Sequence, residues 1–188
     1  YMLSVEDGTP FAKMQAEGRR LACDEDEICE QYRITCGKLE EIGISQYEIS
    51  NFARRGFEAV HNTLYWTGDE YMGLGPGAHG FYYKNRYDSA LRYSNVYEPL
   101  AYIAAAEKGV SFAREEEELD SSTLAREALF CRLRTREGLD LTSLKNRFGL
   151  DLQRDRGETI NDYSNSGMIK VFIESNGTFI RLTEKGRL

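Results

Sequence analysis

Apolar positions recur with helical spacing in the first third of the chain. Asp24 stands as an N-cap with Glu27 three residues on, and Ile28, Tyr32, Cys36, Leu39 and Ile42 form one stripe that Gly43 stops. The run Ile44-Ser45-Gln46-Tyr47-Glu48-Ile49 reads as a short strand, with Tyr47 and Ile49 on one face and Gln46 and Glu48 on the other. A helix feeding a short strand that ends in polar residues suits an α/β barrel unit. Leu64-Tyr65-Trp66 and Phe81-Tyr82-Tyr83 are aromatic and strand-like, and Pro99 opens a helix over 99–108 that Gly109 ends.

Further on the pattern changes to helix, helix, helix, hairpin. Asp120 or Ser121 caps a helix reaching about Arg134; a short helix on Leu141, Leu144 and Phe148 stops at Gly149; a third, around Ile160 and Tyr163, stops at Gly167. Ile169, Val171 and Ile173 then alternate up to Asn176-Gly177, a strong hairpin signal, and Phe179 to Leu182 return. That order is the order of a winged helix. The expected fold class is therefore α/β or α+β, a barrel-like portion over 1–118 and a winged-helix-like domain over 119–188.

Charge supports a division at that point. Residues 1–120 carry 12 Lys/Arg against 22 Asp/Glu, whereas 121–188 carry 12 against 9. The changeover follows Glu115-Glu116-Glu117-Glu118, which reads as a solvated linker or helix approach. A formal net charge of −7 over 188 residues argues against broad binding to nucleic acid or anionic membranes. The longest apolar stretch, Leu100 to Ala106, is far short of the roughly 18 residues of a membrane span. No basic-plus-apolar leader opens the chain, so the cytoplasm is the expected location. A first residue of Tyr1 rather than Met suggests a piece of something longer.

Unusual chemistry concentrates between Gln46 and Tyr83, which holds both histidines, the single tryptophan and a glycine-rich run. Gly75, Gly77 and Gly80 satisfy the G-x-G-x-x-G spacing, but a strand-like segment follows where dinucleotide binding needs a helix N-terminus. A turn needing positive φ, stiffened by Pro76, is the plainer reading. His61 offers an imidazole able to ligate iron, with Tyr65 and Trp66 as flat apolar faces for a macrocycle. Arg54, Arg55, Arg86 and Arg92 are cations for propionate carboxylates. On residue chemistry alone, a hydrogen-bonded structural histidine beside core aromatics is the default. Cys23, Cys29 and Cys36 have neither zinc nor iron–sulfur spacing, and Cys131 reads as a small core residue. A DNA-binding reading of the winged-helix order is weakened because Arg154 and Arg156 are interleaved with Asp155, Glu158 and Asp162.

Three ordered blocks carry a resemblance over essentially the whole chain. Gln46-Tyr-Glu-Ile-Ser-Asn-Phe-Ala53, His61-Asn-Thr-Leu-Tyr-Trp66 and Tyr71-Met-Gly-Leu-Gly-Pro-Gly-Ala-His79 resemble the oxygen-independent coproporphyrinogen III oxidase-like radical SAM family, most closely its haem-chaperone (HemW-like) branch. Tyr1-Met-Leu-Ser-Val-Glu-Asp-Gly-Thr-Pro-Phe11 is similar to the family's mid-barrel segment. Arg92-Tyr-Ser-Asn95, Leu133-Arg-Thr-Arg-Glu-Gly-Leu139 and Leu182-Thr-Glu-Lys-Gly186 are similar to its C-terminal domain.

The resemblance implies the C-terminal half of a partial triosephosphate-isomerase-like barrel protein that works in haem or porphyrin metabolism. It implies haem bound through an H-N-x-x-Y-W motif, here His61, Asn62, Tyr65 and Trp66, with His61 at the iron, and delivery to a haem-acceptor protein. The alternative is oxidative decarboxylation of coproporphyrinogen III. S-adenosylmethionine (SAM) and a [4Fe–4S] cluster are implied for the whole protein; the family's C-x-x-x-C-x-x-C motif is not in this sequence, so this chain is expected neither to hold the cluster nor to act as a radical enzyme. An incomplete barrel leaves strand edges open, so a homodimer is expected.

Overall fold

Local capping explains most of the helices. In a computed structural model that describes residues 5–19, 24–85, 88–174 and 177–187, the chain forms two compact units, one up to Glu58 and the other Ala59–Arg187. In the first unit, α1 (Pro10–Ala16) starts behind Thr9, whose hydroxyl accepts from the Ala12 amide. Helix α2 (Glu25–Glu41) opens with a reciprocal capping box between Asp24 and Glu27, as the sequence predicts.

The strand expected over 44–49 is shorter than its pattern suggests. Only β1 (Ser45–Gln46) is extended, and the chain turns back to pair antiparallel with β2 (Phe52–Ala53). The turn overrides the alternation: consecutive Tyr47 and Glu48 are both buried, the Glu48 carboxylate accepts from the Ser50 amide, and Gln46 Nε2 donates to Tyr32 Oη and the Ile49 carbonyl. The parallel pairing of a barrel unit is not among the pairings of the described residues, all of which are antiparallel.

The second unit begins with a correction. Leu64-Tyr65-Trp66 is not a strand but part of helix α3 (Val60–Thr67). Left-handed Gly68 stops that helix, and the Thr63 and Thr67 hydroxyls donate to the carbonyls of Ala59 and Thr63. Local hydrogen bonding overrides the strand preference of the aromatics. Phe81-Tyr82-Tyr83 does lie in a strand, β3 (His79–Asn85), which pairs antiparallel with β4 (Ser89–Asn95). Helix α4 (Pro99–Lys108) ends at left-handed Gly109, as expected.

The acidic run is the second correction. Glu115 to Glu118 lie not in a linker or helix approach but in β5 (Ala113–Asp120), an edge strand hydrogen-bonded along β4. Pairing satisfies its backbone, while the carboxylates point to water or to cations: Lys84 pairs with Glu118, and Arg92 with Glu117 at 3.0 Å. Charge on an edge strand also opposes edge-to-edge association.

Asp120 then caps α5 (Ser121–Leu133), and β6 (Leu139–Asp140) leads into α6 (Leu141–Phe148), capped by Asp140. Helix α7 (Leu152–Asn165), capped by Asp151, precedes β7 (Ile169–Glu174), β8 (Gly177–Leu182) and the short α8 (Glu184–Arg187). Strand β8 pairs with both β6 and β7. Asn176 of the expected hairpin turn lies outside the described residues.

Two apolar clusters hold this unit. Phe81, Ala90, Leu119 and Leu124 form one, and Leu139, Leu141, Leu144 and Ile180 the other. Phe148 packs against both, and Leu124 of α5 lies in the first, so apolar contacts as well as β5 join the sheet β3–β4–β5 to the α5–α8 segment. Leu144 is 2% exposed and Leu100 81%. We expect Leu144→Ala to lower the unfolding free energy by about 2–4 kcal/mol in urea titration, and Leu100→Ala to change it by less than about 0.5 kcal/mol. Equal effects would place the core elsewhere.

Candidate functional site

Helix α3 turns the H-N-x-x-Y-W residues onto two neighbouring faces. His61 and Tyr65, four residues apart, share an exposed face: Tyr65 Oη lies 2.8 Å from His61 Nε2, and their rings meet edge to face at 5.1 Å. Tyr65 remains 43% exposed. Its ring continues an aromatic file: Tyr65 meets Tyr71 at 4.5 Å, Tyr71 stacks on Phe81 at 6.1 Å, and Phe81 meets Tyr83 at 5.1 Å. The exposed imidazole is thus braced by rings that end in the buried sheet core.

Asn62 and Trp66 lie on the next face and are half-buried. Trp66 borders a small cavity of about 50 Å³ that Leu124, Cys131, Arg147 and Phe148 also line. Its indole Nε1 is buried with no hydrogen-bond partner among the described residues. The structure therefore brings His61 and Tyr65 together at the surface and turns the tryptophan ring inward.

The glycine-rich run is a backbone turn, as the plainer reading held. Tyr71 and Phe81 exchange backbone hydrogen bonds of 3.0 and 2.8 Å across it, and no helix follows. Asn95, fully buried on β4, donates through Nδ2 to the carbonyls of Gly73 at 3.1 Å and Gly75 at 2.9 Å. Tyr93 and Tyr102 hydroxyls accept from the amides of Gly73 and Gly75. Gly77 has φ of +68° and a Cβ there would lie 2.9 Å from the Tyr97 ring; at Gly80 it would lie 2.2 Å from Tyr93. The two motifs Tyr71–His79 and Arg92–Asn95, distant in sequence, are one hydrogen-bonded object. A cavity of about 550 Å³ opens beside it, walled by Tyr71, Met72, Tyr82, Tyr93, Phe112 and Glu116. His79 is exposed at the start of β3.

Of the cations expected to face propionates, Arg92 is already engaged, at 3.0 Å to Glu117 and 2.6 Å to Glu127. Burial pulls its pKa down, but the hydrogen bond to Glu127 and the surrounding carboxylates raise it overall. Burial likewise pushes the Tyr71 phenol up, against the opposing charge of Arg92. Arg54 and Arg55 belong to the first unit, and Arg86 lies outside the described residues, as does Cys23. Cys29 and Cys36 stand two turns apart on α2, and burial raises the Cys131 pKa. Among the described residues no three His, Cys, Asp or Glu side chains gather in a metal-binding group, so this set does not fit an iron–sulfur cluster. Sequence reasoning gave Asn95 only as the end of the Arg92–Asn95 block, with no role, and missed Tyr102, Arg132 and Arg147; a single polar residue in a strand or helix carries no local signal of its partners.

Comparison with known proteins agrees with this picture. Residues 119–188 match the HemN C-terminal domain family. The fold is similar to that of the radical SAM enzyme HemN, coproporphyrinogen III oxidase from Escherichia coli, with a TM-score of 0.55 and 17% identity over 83% of this chain and 37% of that one. By these matches the chain is similar to the HemN-like radical SAM family. Within it, the similarity runs to the HemW branch. The heme chaperone HemW of Bacillus subtilis is 33% identical over 100% of this chain and 47% of that protein, and that of Mycobacterium tuberculosis H37Rv is 31% identical over 100% and 44%. The mitochondrial radical S-adenosyl methionine domain-containing protein 1 of Danio rerio is 36% identical over 74% and 32%. The chain spans about half the length of the curated relatives it matches.

The grip of Asn95 on the glycine turn yields a direct expectation. Asn95→Ala removes two buried hydrogen bonds and leaves two carbonyls without that partner, at a cost of about 1–3 kcal/mol. Hydrogen exchange should quicken at the Gly75 and Gly77 amides while α7 is unchanged; an unaltered turn would show that Tyr93 and Tyr102 hold it alone.

Proposed function

We propose that this chain is the haem-binding half of a haem chaperone, with His61 as the iron donor. The observation that carries the reading is the exposed imidazole on α3 with a phenol on its Nε2, braced by an aromatic file into the core. A nitrogen donor on a rigid helix, next to an exposed ring, fits a flat ligand whose propionates stay near water. The Tyr65 hydroxyl orients the imidazole while the site is free, and binding at Nε2 displaces that contact. Tyr65 contributes its ring as a contact surface. Asn62 and Trp66 act from the adjoining face, supporting the helix from below.

The relatives matched over the whole chain are named heme chaperones, which favours this reading over oxidative decarboxylation of coproporphyrinogen III. The likeness to HemN, at 17% identity, supports a shared fold only. The winged-helix reading of 119–188 rests on the order α5, α6, α7 and the β7–β8 hairpin, and the barrel reading of 1–118 on α2 feeding β1. Arg154 on α7 is paired with Asp155 at 2.7 Å, which supports a protein-facing rather than phosphate-facing helix. Delivery to a haem acceptor and homodimer formation belong to the same proposal. Among the described residues no helix is long and apolar enough to cross a membrane.

Haemin titration followed at the Soret band tests the donor. His61→Ala should weaken binding by roughly ten-fold or more, consistent with loss of an axial ligand. His79→Ala should bind like the parent, and Tyr65→Phe, which frees Nε2, no more weakly than the parent. Loss of the band in His79→Ala with parent-like His61→Ala would overturn the assignment.

A further inference from the structure

We propose that the cavity walled by Arg132 of α5 and Arg147 of α6 is a binding site for a carboxylate carried on a short aliphatic arm. The cavity has a volume of about 280 Å³. Its lining combines the charged and polar side chains of Arg132, Arg147, Ser143, Asp69 and Asp140 with the apolar ones of Leu139, Leu144, Phe148 and Phe179. Guanidinium groups beside apolar side chains suit an acid head on a few methylenes.

The state of Arg132 points to an anion. Its side chain is half-buried, and among the described residues its guanidinium has neither a hydrogen bond nor an ion pair. A half-buried guanidinium whose donors are not used within the protein is completed by a carboxylate that meets its planar fork with two hydrogen bonds. Burial lowers the Arg132 pKa and the charge of Arg147 adds to the lowering, while the carboxylates of Glu137, Asp69 and Asp140 oppose it. Arg147 reaches the cavity from the facing helix, where Nη2 donates to Tyr83 Oη at 3.4 Å and the guanidinium lies 5.2 Å from the Phe148 ring.

Two carboxylates also line the wall, and each is engaged elsewhere. Asp69 accepts from the Thr67 hydroxyl. Asp140 caps α6, accepting from the Thr142 and Ser143 amides at 2.9 and 3.1 Å. Neither forms an ion pair with Arg132, so the fork remains available for a ligand.

Two sources supply this chemistry: a free short-chain acid, or a propionate arm of a tetrapyrrole. The second source rests on the haem reading above, and the first stands without it. The cavity shares Thr67, Ala128, Arg147 and Phe148 with the small cavity beneath Trp66, so an arm entering here lies next to the H-N-x-x-Y-W helix.

The test uses the full chain and follows the Nε–Hε signals of Arg132 and Arg147 by NMR. Sodium propionate should shift both saturably, and neutral propionamide neither. Arg132→Gln should weaken propionate binding by roughly ten-fold, whereas Arg126→Gln, elsewhere on α5, should not. Parallel fluorescence titrations use metal-free mesoporphyrin IX and its dimethyl ester, in which no iron is present for His61. A preference for the acid that Arg132→Gln abolishes and His61→Ala preserves assigns the tetrapyrrole arm. Propionate binding with no such preference assigns the free acid. Signals that stay fixed under propionate, or move equally with propionamide, overturn the site, and they do so whatever the haem titration of His61→Ala gives.

Discussion

Strand β4 has no free edge, and the second unit is organised around that fact. Between β3 and β5 it must bury what it carries, and at its end it carries Asn95, a polar side chain with no exposed surface. A buried amide is costly to leave unpaired, and here the Nδ2 side is paired while Oδ1 has no partner among the described residues. Its two donors reach the carbonyls of Gly73 and Gly75, so the glycine turn is pinned to the sheet by the hydrogen-bond need of one residue. The Tyr71–Phe81 bridge closes the same turn, and through Tyr71 the aromatic file passes to Tyr65 and His61. The exposed imidazole therefore inherits its position from a buried amide a strand away.

Ion pairing divides the arginines into two kinds. Arg92 lies between Glu117 and Glu127 and ties the acidic edge strand to α5, a structural use of a residue whose type suggested propionate binding. Arg132, on the same helix as Glu127, has no such partner among the described residues. A paired guanidinium fixes the fold; an unpaired and half-buried one keeps its capacity for a ligand. The difference is invisible in composition and depends on which carboxylate the sheet brings within reach.

What was legible in the sequence is what local chemistry decides. Asp24 with Glu27, Asp120 before α5, and Pro99 with Gly109 all act within a turn of the residues they control, and each marks a real boundary. The failures were non-local or competing signals. Leu64-Tyr65-Trp66 has strand-forming residues, but Gly68 and the threonine hydroxyls complete a helix. Glu115 to Glu118 look solvated, and they are, yet their backbone partners lie more than twenty residues back on β4. At the candidate site the motif gave His61 and Tyr65 as neighbours and could not show that Trp66 faces inward. Asn95 and Arg132 have no pattern of their own; only the fold shows that one is pinned and the other left without a partner.

The central claim is that α3 presents His61 to haem iron. The chain has two histidines, so in His79→Ala the only imidazole left is that of His61. The most direct measurement is pulsed electron paramagnetic resonance on haemin-loaded His79→Ala with ¹⁵N-labelled histidine. The account predicts a histidine ¹⁵N coupling to the ferric centre of the strength expected for an axial imidazole. A haem bound in the same amount with no histidine coupling would contradict it.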